Sequence, residues 1–248
     1  MPTSSSDPRR KKVLVVGVGG LGCPAAEVLA SSGACDLVLV DDDVVDVTNL
    51  HRQILFREAD VGRPKVVVAR ERLLHIAPTV SVQTHRARID VDNVLRLVSA
   101  ADVVVEGSDN FPTKFLVADA CRLAQRALVS AACVGVSGTA LLAGGSGAPC
   151  YRCLFEDLPV GDAPNCATAG VLGPVAGIVG ALAADLALGF LAGSRAPGTL
   201  VRFEDRPSGP RFRESRIAPR ADCLLCGPRR RIRSLDETRY AGPRCEAP

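Results

Sequence analysis

The sequence predicts an α/β fold in which helices cover both faces of a doubly wound, mostly parallel, Rossmann-like sheet. Two observations predict it. Short apolar runs alternate along residues 13–142 with longer segments of helical spacing, which is the pattern of successive strand–helix–strand units. Hydrophobic residues make up 47% of the 248-residue chain but aromatic residues only 4%, as expected of buried parallel strands built from Val, Leu and Ala.

The predicted elements follow one another in chain order. Apolar runs that end at Gly, Asp or Glu are assigned to strands, and Pro64 suits the first position of a helix because it has no N–H to donate. The last predicted strand begins a less regular part of the sheet. The predicted strands are 13–16, 36–40, 80–83, 102–106, 127–132 and 136–142, and the predicted helices are 25–32, 64–76 and 113–124.

From about Cys150 the chain changes to loops, cysteines and one long apolar segment, followed by short strands around 201–203. Residues 170–193 would nearly span a bilayer by length. Asp185 interrupts this segment, and seven of its residues are Gly or Pro. A small-residue helix packed inside an α/β fold is therefore favoured over a membrane span.

We expect one domain over residues 13–227, with a cysteine-containing part at about 149–227. The polar residues 1–12 are predicted to be disordered. Residues 228–248 contain six arginines and are predicted to form a flexible tail.

Charge and cysteine usage exclude some classes of function. A net charge of +3 is too small to favour a nucleic-acid partner. Ten cysteines could indicate a secreted disulfide scaffold, but the chain length and the lack of a signal-peptide pattern oppose this. We expect a cytoplasmic protein whose thiols serve metal binding and chemistry, with neither nucleic acid nor membrane as partner.

A glycine-rich loop directly follows the first predicted strand. Gly17, Gly19 and Gly22 match the dinucleotide fingerprint, which supplies a tight turn, close approach to phosphate and tight helix–strand packing. Asp41 ends the second strand, where a carboxylate can bind a ribose hydroxyl. The loop predicts a nucleotide site without specifying the nucleotide.

Two cations beyond the second strand favour a triphosphate. Arg52 and Lys65 lie where a hydride-transfer enzyme needs no further positive charge, whereas attack on a polyanion requires its charge to be neutralised. Asp109 and Asn110 follow the strand at 102–106. A carboxylate there can hold Mg²⁺, and either side chain could instead cap the following helix.

Two cysteine pairs supply the ligand number of a structural zinc site. Cys150 and Cys153 form one pair, and Cys223 and Cys226 form the other. Four thiolates complete a tetrahedral Zn²⁺ site with no open position. We therefore expect a zinc-stabilised extension at the C-terminal end of the sheet. Cys166 lies between the pairs, outside this ligand set.

Taken together, these motifs resemble the ThiF/MoeB/HesA family, the bacterial relatives of ubiquitin-activating enzymes. The resemblance runs in the family's order from about residue 13 to residue 227. The matching motifs are GVGGLGCP at 17–24, DDD at 41–43, TNLHRQ at 48–53, GRPK at 62–65, SDN at 108–110, PCYRC at 149–153 and GVLGP at 170–174.

The resemblance implies that the protein is a nucleotidyltransferase and a homodimer. Its substrate would be the C-terminal Gly-Gly carboxylate of a small ubiquitin-fold sulfur carrier of the MoaD or ThiS type, which it would adenylate. ATP and Mg²⁺ would be used and pyrophosphate released. It further implies that Cys166 is the thiol that forms a thioester or a persulfide-derived disulfide. The implied site comprises Gly17, Gly19, Gly20, Gly22, Asp41, Asn49, Arg52, Gln53 and Lys65 for the nucleotide, Asp109 and Asn110 at Mg²⁺, and Cys150, Cys153, Cys223 and Cys226 at Zn²⁺.

The sequence departs from the family in three respects. Family members usually begin with a helical segment whose arginine reaches the partner's ATP site, and here that contribution is either missing or comes from Arg9 or Arg10. Lys114 stands where an Arg is usual. We expect no rhodanese domain in this protein, so any persulfide sulfur would come from a separate sulfurtransferase.

Two other functions stay open. A catalytically weak family member could serve as a scaffold that binds the carrier, and an adenylating enzyme could act on a peptide or a small molecule. An NAD oxidoreductase is disfavoured, because it leaves Arg52, Lys65 and the cysteine pairs unexplained.

Overall fold

The computed structural model describes residues 10–145, 147–159 and 170–241. The described strands are β1 Lys11–Val16, β2 Cys35–Val40, β3 Val82–His85, β4 Val103–Glu106, β5 Ala127–Val134, β6 Ser137–Gly144, β7 Thr199–Glu204 and β8 Arg211–Arg216. They form one eight-stranded sheet in the order β3-β2-β1-β4-β5-β6-β7-β8. Pairing is parallel from β3 to β5 and antiparallel from β5 to β8.

Helices cover both faces of this sheet. The described α-helices are α1 Gly22–Ser31, α2 Lys65–Ile76, α3 Val94–Ser99, α4 Phe111–Leu123 and α5 Gly173–Leu191. Val13 and Val15 face α1, α2 and α5, whereas Leu14 and Val16 face α3 and α4, because successive side chains of a strand point to opposite faces. The predicted doubly wound α/β fold is confirmed.

The strand order reverses at β1. In sequence β2 follows on one side of β1, and β4 is then added on the other side. The loop after β1 and the loop after β4 therefore lead to helices on opposite faces of the sheet. The separation of these loops opens a crevice at the carboxyl edge. Any ligand site in this fold is expected at that edge.

Three elements lie where the sequence pattern did not place them. Helix α3 at Val94–Ser99 was not predicted at all. The strand predicted at 80–83 is observed at Val82–His85, because the N–H of Val80 still donates to the carbonyl of Ala77 in the turn that follows α2. Strand β8 was missed. Its side chains lack apolar alternation, and only its backbone pairing with β7 makes it a strand.

Helix α5 is the one described helix that is long and apolar enough, by length and composition, to cross a membrane. One face of it is packed in the core between α1 and the sheet. A Cβ on Gly180 would lie 2.4 Å from the carbonyl oxygen of Leu21, so the small residue permits close contact with α1. Asp185 pairs with Arg195 at 3.6 Å.

Part of each terminal segment that was predicted to be disordered or flexible is ordered. The prediction that residues 1–12 are disordered is wrong for residues 10–12, because β1 begins at Lys11 and the N–H of Lys12 donates to the carboxylate of Asp102 at 2.8 Å. Residues 1–9 lie outside the described part.

The prediction of a flexible tail is wrong for residues 228–241. Ile232 and Tyr240 are buried, and residues Glu237–Tyr240 form a 3₁₀ turn. The Tyr240 hydroxyl donates to the buried carboxylate of Asp119 on α4 at 2.8 Å. The five arginines of this segment gave it the composition of a flexible tail, and the sequence analysis overlooked its two apolar anchors.

Tyr240→Phe is expected to lower the free energy of unfolding by about 1–2 kcal/mol, because Asp119 loses one donor while buried. Urea denaturation measures this. Glu237→Ala, an exposed change in the same turn, should cost less than about 0.5 kcal/mol. Equal effects of the two substitutions would contradict the anchoring of this segment.

Candidate functional site

A cavity of about 320 Å³ opens at the carboxyl edge of the sheet, where the strand order reverses. This is the size range of small-molecule sites. Gly22 and Asn49 do not line it, although both were predicted for the nucleotide site. The predicted residues that line it are Gly17, Gly19, Gly20, Asp41, Arg52, Gln53, Lys65, Asp109 and Asn110.

The glycine loop is shaped by close backbone contacts. Gly17 has a φ of +80°, a conformation that favours glycine, and its N–H donates to the carbonyl of Val40 at 2.9 Å. A Cβ on Gly22 would lie 1.8 Å from the Gly17 carbonyl oxygen. Gly22 therefore serves packing of the loop on α1, which explains why it does not line the cavity.

Asp41, at the end of β2, holds the glycine loop in place. Its carboxylate accepts from the N–H of Val18 at 2.7 Å and from the N–H of Asp43 at 2.8 Å. Burial raises the pKa of the Asp41 carboxyl, while the nearby Lys65 ammonium opposes that rise. A carboxylate has about four acceptor positions, so Asp41 can also accept from a ligand hydroxyl.

Two cations border the same cavity. Lys65, the first residue of α2, is buried and pairs with Asp43 at 2.7 Å. The Arg52 side chain lies against Gly20, with its Cγ and Cδ 3.2 Å from the position of a Cβ there. Their positive charge makes this side of the cavity suitable for an anion.

Gln53 is also buried beside the loop, 3% exposed. Within the described part of the chain, its amide oxygen has no hydrogen-bond donor. Asn49 lies one turn earlier, and its carbonyl accepts the N–H groups of Arg52 and Gln53, each at 3.1 Å. The position of Asn49 thus supports the backbone that presents these two side chains to the cavity.

In the loop after β4, the structure shows which of the two polar residues, Asp109 or Asn110, caps the following helix. The Asn110 side chain caps α4, accepting from the N–H of Thr113 at 2.9 Å. Asp109 is exposed at the cavity. The capping role therefore belongs to Asn110, and Asp109 remains as an exposed residue of this loop that lines the cavity.

Sequence reasoning missed several parts of the cavity. Glu106 lies behind it, fully buried and paired with Lys114 at 2.8 Å. A charged residue at the end of an apolar strand was the available signal. The segment 87–89 lines the cavity because it directly follows β3, which ends at His85. The strand was predicted to end at residue 83, so these residues were not expected at the cavity.

The four predicted metal-ligating cysteines lie together. Their Sγ atoms are all within 4.8 Å of one another. The distance is 3.5 Å between Cys150 and Cys223 and 3.3 Å between Cys153 and Cys226. Burial, and next the neighbouring thiols, raise the pKa of Cys150. A tetrahedron with Zn–S bonds of about 2.3 Å places its sulfurs about 3.8 Å apart, so this arrangement fits such a metal.

The turn that carries Cys150 and Cys153 is joined to α4 by a buried ion pair. Arg152 is 2% exposed and donates to both oxygens of Asp119, at 2.8 and 3.0 Å. Its guanidinium also lies 4.8 Å from the centre of the Phe115 ring. The cysteine cluster is therefore attached to the helix that begins at the cavity.

Two sequence predictions are not placed at the cavity. Cys166 lies outside the described residues. Arg10 contacts Asp36 at 3.3 Å and the carbonyl of Gly33 at 2.6 Å, which lie at the amino edge of the sheet, so it does not reach the cavity of its own chain. Arg9 is outside the described residues.

The profile of the ThiF family matches residues 4–225. The chain belongs to the ThiF family. The sequence resemblance is confirmed by this match, which includes the glycine loop, both cations, Asp109 and all but one of the clustered cysteines.

Several proteins resemble this ThiF-family chain in sequence. The SAMP-activating enzyme E1 of Haloferax volcanii is 42% identical over 219 residues, covering 87% of this chain and 80% of that protein. The sulfur carrier protein adenylyltransferase of Thermus thermophilus is 39% identical over 227 residues, 88% of this chain and 83% of that protein.

The adenylyltransferase and sulfurtransferase MOCS3 of Aedes aegypti is 38% identical over 222 residues, 88% of this chain. Our chain spans 50% of the length of that relative. Among solved structures, E. coli MccB with MccA-N7isoASN superposes with a TM-score of 0.77 at 24% identity, covering 88% of this chain and 67% of that one. This likeness confirms the fold of the ThiF-family chain.

Gly22→Ala is expected to lower the free energy of unfolding by about 3 kcal/mol or more, because the added methyl overlaps backbone that cannot move. At Gly19 the nearest atom to an added Cβ is the Gln53 Nε2 at 3.8 Å, so Gly19→Ala should cost less than about 1 kcal/mol. Urea denaturation compares them. Similar losses would refute the packing role of Gly22.

Proposed function

We propose that this chain uses ATP to adenylate the C-terminal Gly-Gly carboxylate of a small ubiquitin-fold sulfur carrier. The observation that carries the proposal is the convergence of the glycine loop, Lys65, Arg52 and Asp109 on one cavity. This combination suits a triphosphate better than a dinucleotide. Sequence relatives at 42% and 39% identity are named for carrier activation.

The chemistry requires an oxygen of the carrier carboxylate to attack the α-phosphorus of ATP. The α–β phosphoanhydride bond breaks, pyrophosphate leaves and an acyl-adenylate forms. The difficulty is the approach of one anion to another, so the site must neutralise charge in a partly desolvated space. The carboxyl oxygen becomes a good leaving group, which a thiol or sulfide can displace.

The side chains divide this work by position. Lys65 and Arg52 neutralise the phosphates, with Gln53 beside them, and Asn49 acts through the turn that presents these side chains. Asp109 would hold the Mg²⁺ that accompanies ATP, since a carboxylate oxygen is a ligand that Mg²⁺ prefers. Asp41 would accept from the ribose.

The four cysteines would hold one Zn²⁺, and their donor set fits it. Four thiolates leave no position for a substrate, so the ion would supply structure rather than Lewis acidity. We propose that it stabilises the C-terminal extension of the sheet, since Arg152 ties the cluster to α4.

Cys166 is proposed as the thiol that opens the acyl-adenylate in a later step. Burial raises the pKa of Cys23 to about 12 and that of Cys35 to about 11, so both stay protonated and are poor nucleophiles. We also propose the cytoplasmic location that the sequence analysis expects.

A homodimer and a separate sulfurtransferase complete the proposal. Both rest on the family resemblance. The relative from Aedes aegypti, which is named for both adenylyltransferase and sulfurtransferase activity, is about twice as long as this chain. We therefore do not propose sulfurtransferase activity for this chain.

Asp109→Ala is expected to reduce carrier-dependent exchange of labelled pyrophosphate into ATP by at least about a hundredfold, because the metal loses its carboxylate ligand. Cys166→Ala should leave this exchange within about threefold of the unsubstituted rate and block the later sulfur or thioester step. Loss of exchange in a folded Cys166→Ala protein would refute the assignment of two steps.

The assay uses a ubiquitin-fold protein that ends in Gly-Gly as the carrier. Good ATP binding without exchange would refute adenylation of that carrier and favour the scaffold function. Exchange that needs a peptide or small-molecule carboxylate, and no carrier, would favour an enzyme that adenylates such a molecule.

Metal analysis of the purified protein is expected to find one zinc per chain, and Cys223→Ser should reduce it because three thiolates bind the ion less tightly. A chelator should then lower the thermal midpoint of the unsubstituted protein. Cys166→Ala is the control and should retain its zinc. An unsubstituted protein without zinc, and indifferent to zinc or chelator, would refute the metal site.

A further inference from the structure

The fully buried carboxylate of Glu106 accepts hydrogen bonds on both of its oxygens. Oε1 accepts from the N–H of Ser108 at 2.7 Å and from the Ser108 hydroxyl. Oε2 accepts from the Lys114 ammonium at 2.8 Å and from the Ser130 hydroxyl at 3.2 Å. Lys114 in turn donates to the carbonyl of Ala131 at 2.6 Å. This network joins β4, β5 and α4 behind the cavity.

The network fixes one end of the loop that carries Asp109. Ser108, immediately before Asp109, is bound to Glu106 by its backbone and its side chain. Asn110, immediately after Asp109, is bound to α4 by its capping bond with Thr113. Asp109 is thus held between two anchored residues while its own side chain stays exposed.

The position of Lys114 needs a physical reason. It lies in the first turn of α4, where the helix dipole disfavours a cation, and it is 6% exposed, which removes most of its hydration. Pairing with Glu106 offsets both costs, since a buried carboxylate without a cation would be strongly destabilising. The two charges therefore require each other.

We propose that Glu106 and Lys114 are positioning residues that set the orientation of the Asp109 carboxylate toward the Mg²⁺ of bound ATP. The functional half of this proposal rests on the proposed function. Loss of the Glu106 carboxylate, which Lys114 holds in place, would release Ser108. Asp109 would then bind the metal only after the loop is ordered again. The cost of that ordering appears in metal-dependent ATP binding.

The test compares Glu106→Leu, which removes the acceptor of both Ser108 bonds, the charge-balanced double variant Glu106→Leu with Lys114→Met, and Asp119→Asn. The double variant leaves no unpaired buried charge, so it folds even if the single variant does not. Asp119→Asn is the matched control, because it weakens an equally buried ion pair on the same helix that does not line the cavity.

Two measurements are made on each protein. Calorimetry gives the ratio of the ATP dissociation constants without and with Mg²⁺. Hydrogen exchange of the ligand-free protein follows the peptide that contains Ser108. Both Glu106 variants should lower the ratio by about tenfold, as expected for loss of hydrogen bonds to a charged group, and accelerate exchange of that peptide. Asp119→Asn should change neither.

An unchanged ratio in the double variant would overturn the proposal, and so would an equal fall in Asp119→Asn. Unchanged exchange at Ser108 would also overturn it, whether or not ATP binds. If the unsubstituted chain bound no ATP, the proposed function would fail, while the exchange data would still decide whether the pair orders the loop.

Discussion

The reversal of strand order at β1 is the constraint on which the candidate site depends. Because β2 and β4 flank β1 in parallel, their carboxyl ends reach one edge while the connecting helices pass to opposite faces. The glycine loop, Asp41 and the loop of Asp109 come from three separate strand ends. Their meeting is a property of the topology, and no short segment of the chain could produce it.

Buried ion pairs on α4 link this edge to the rest of the molecule. Lys114 pairs with Glu106 at the cavity, and one and a half turns later Asp119 pairs with Arg152 beside the clustered cysteines. Tyr240 reaches the same carboxylate. Each charge would be costly alone in the interior. Helix α4 therefore contacts the cavity, the cysteine turn and the C-terminal segment.

The predictions that held were those carried by local patterns. Apolar runs placed most of the strands because a strand buried on both faces needs several consecutive apolar residues. Those that failed lacked such a pattern. Strand β8 is charged on both faces, and β3 is offset by a turn that the sequence did not indicate. Glu106 differed from its apolar strand by its charge, but nothing local shows which cation will pair with it.

By itself, the sequence determined the fold class, the glycine loop and the cysteine pairs, because each depends on residue types at short spacing. Tertiary structure alone decided which residues share the cavity. It placed Gly22 in packing rather than at the ligand, gave the capping role to Asn110 and left Asp109 lining the cavity. It also anchored residues 228–241. These outcomes depend on contacts between residues far apart in the chain, whose geometry exists only once the sheet is assembled.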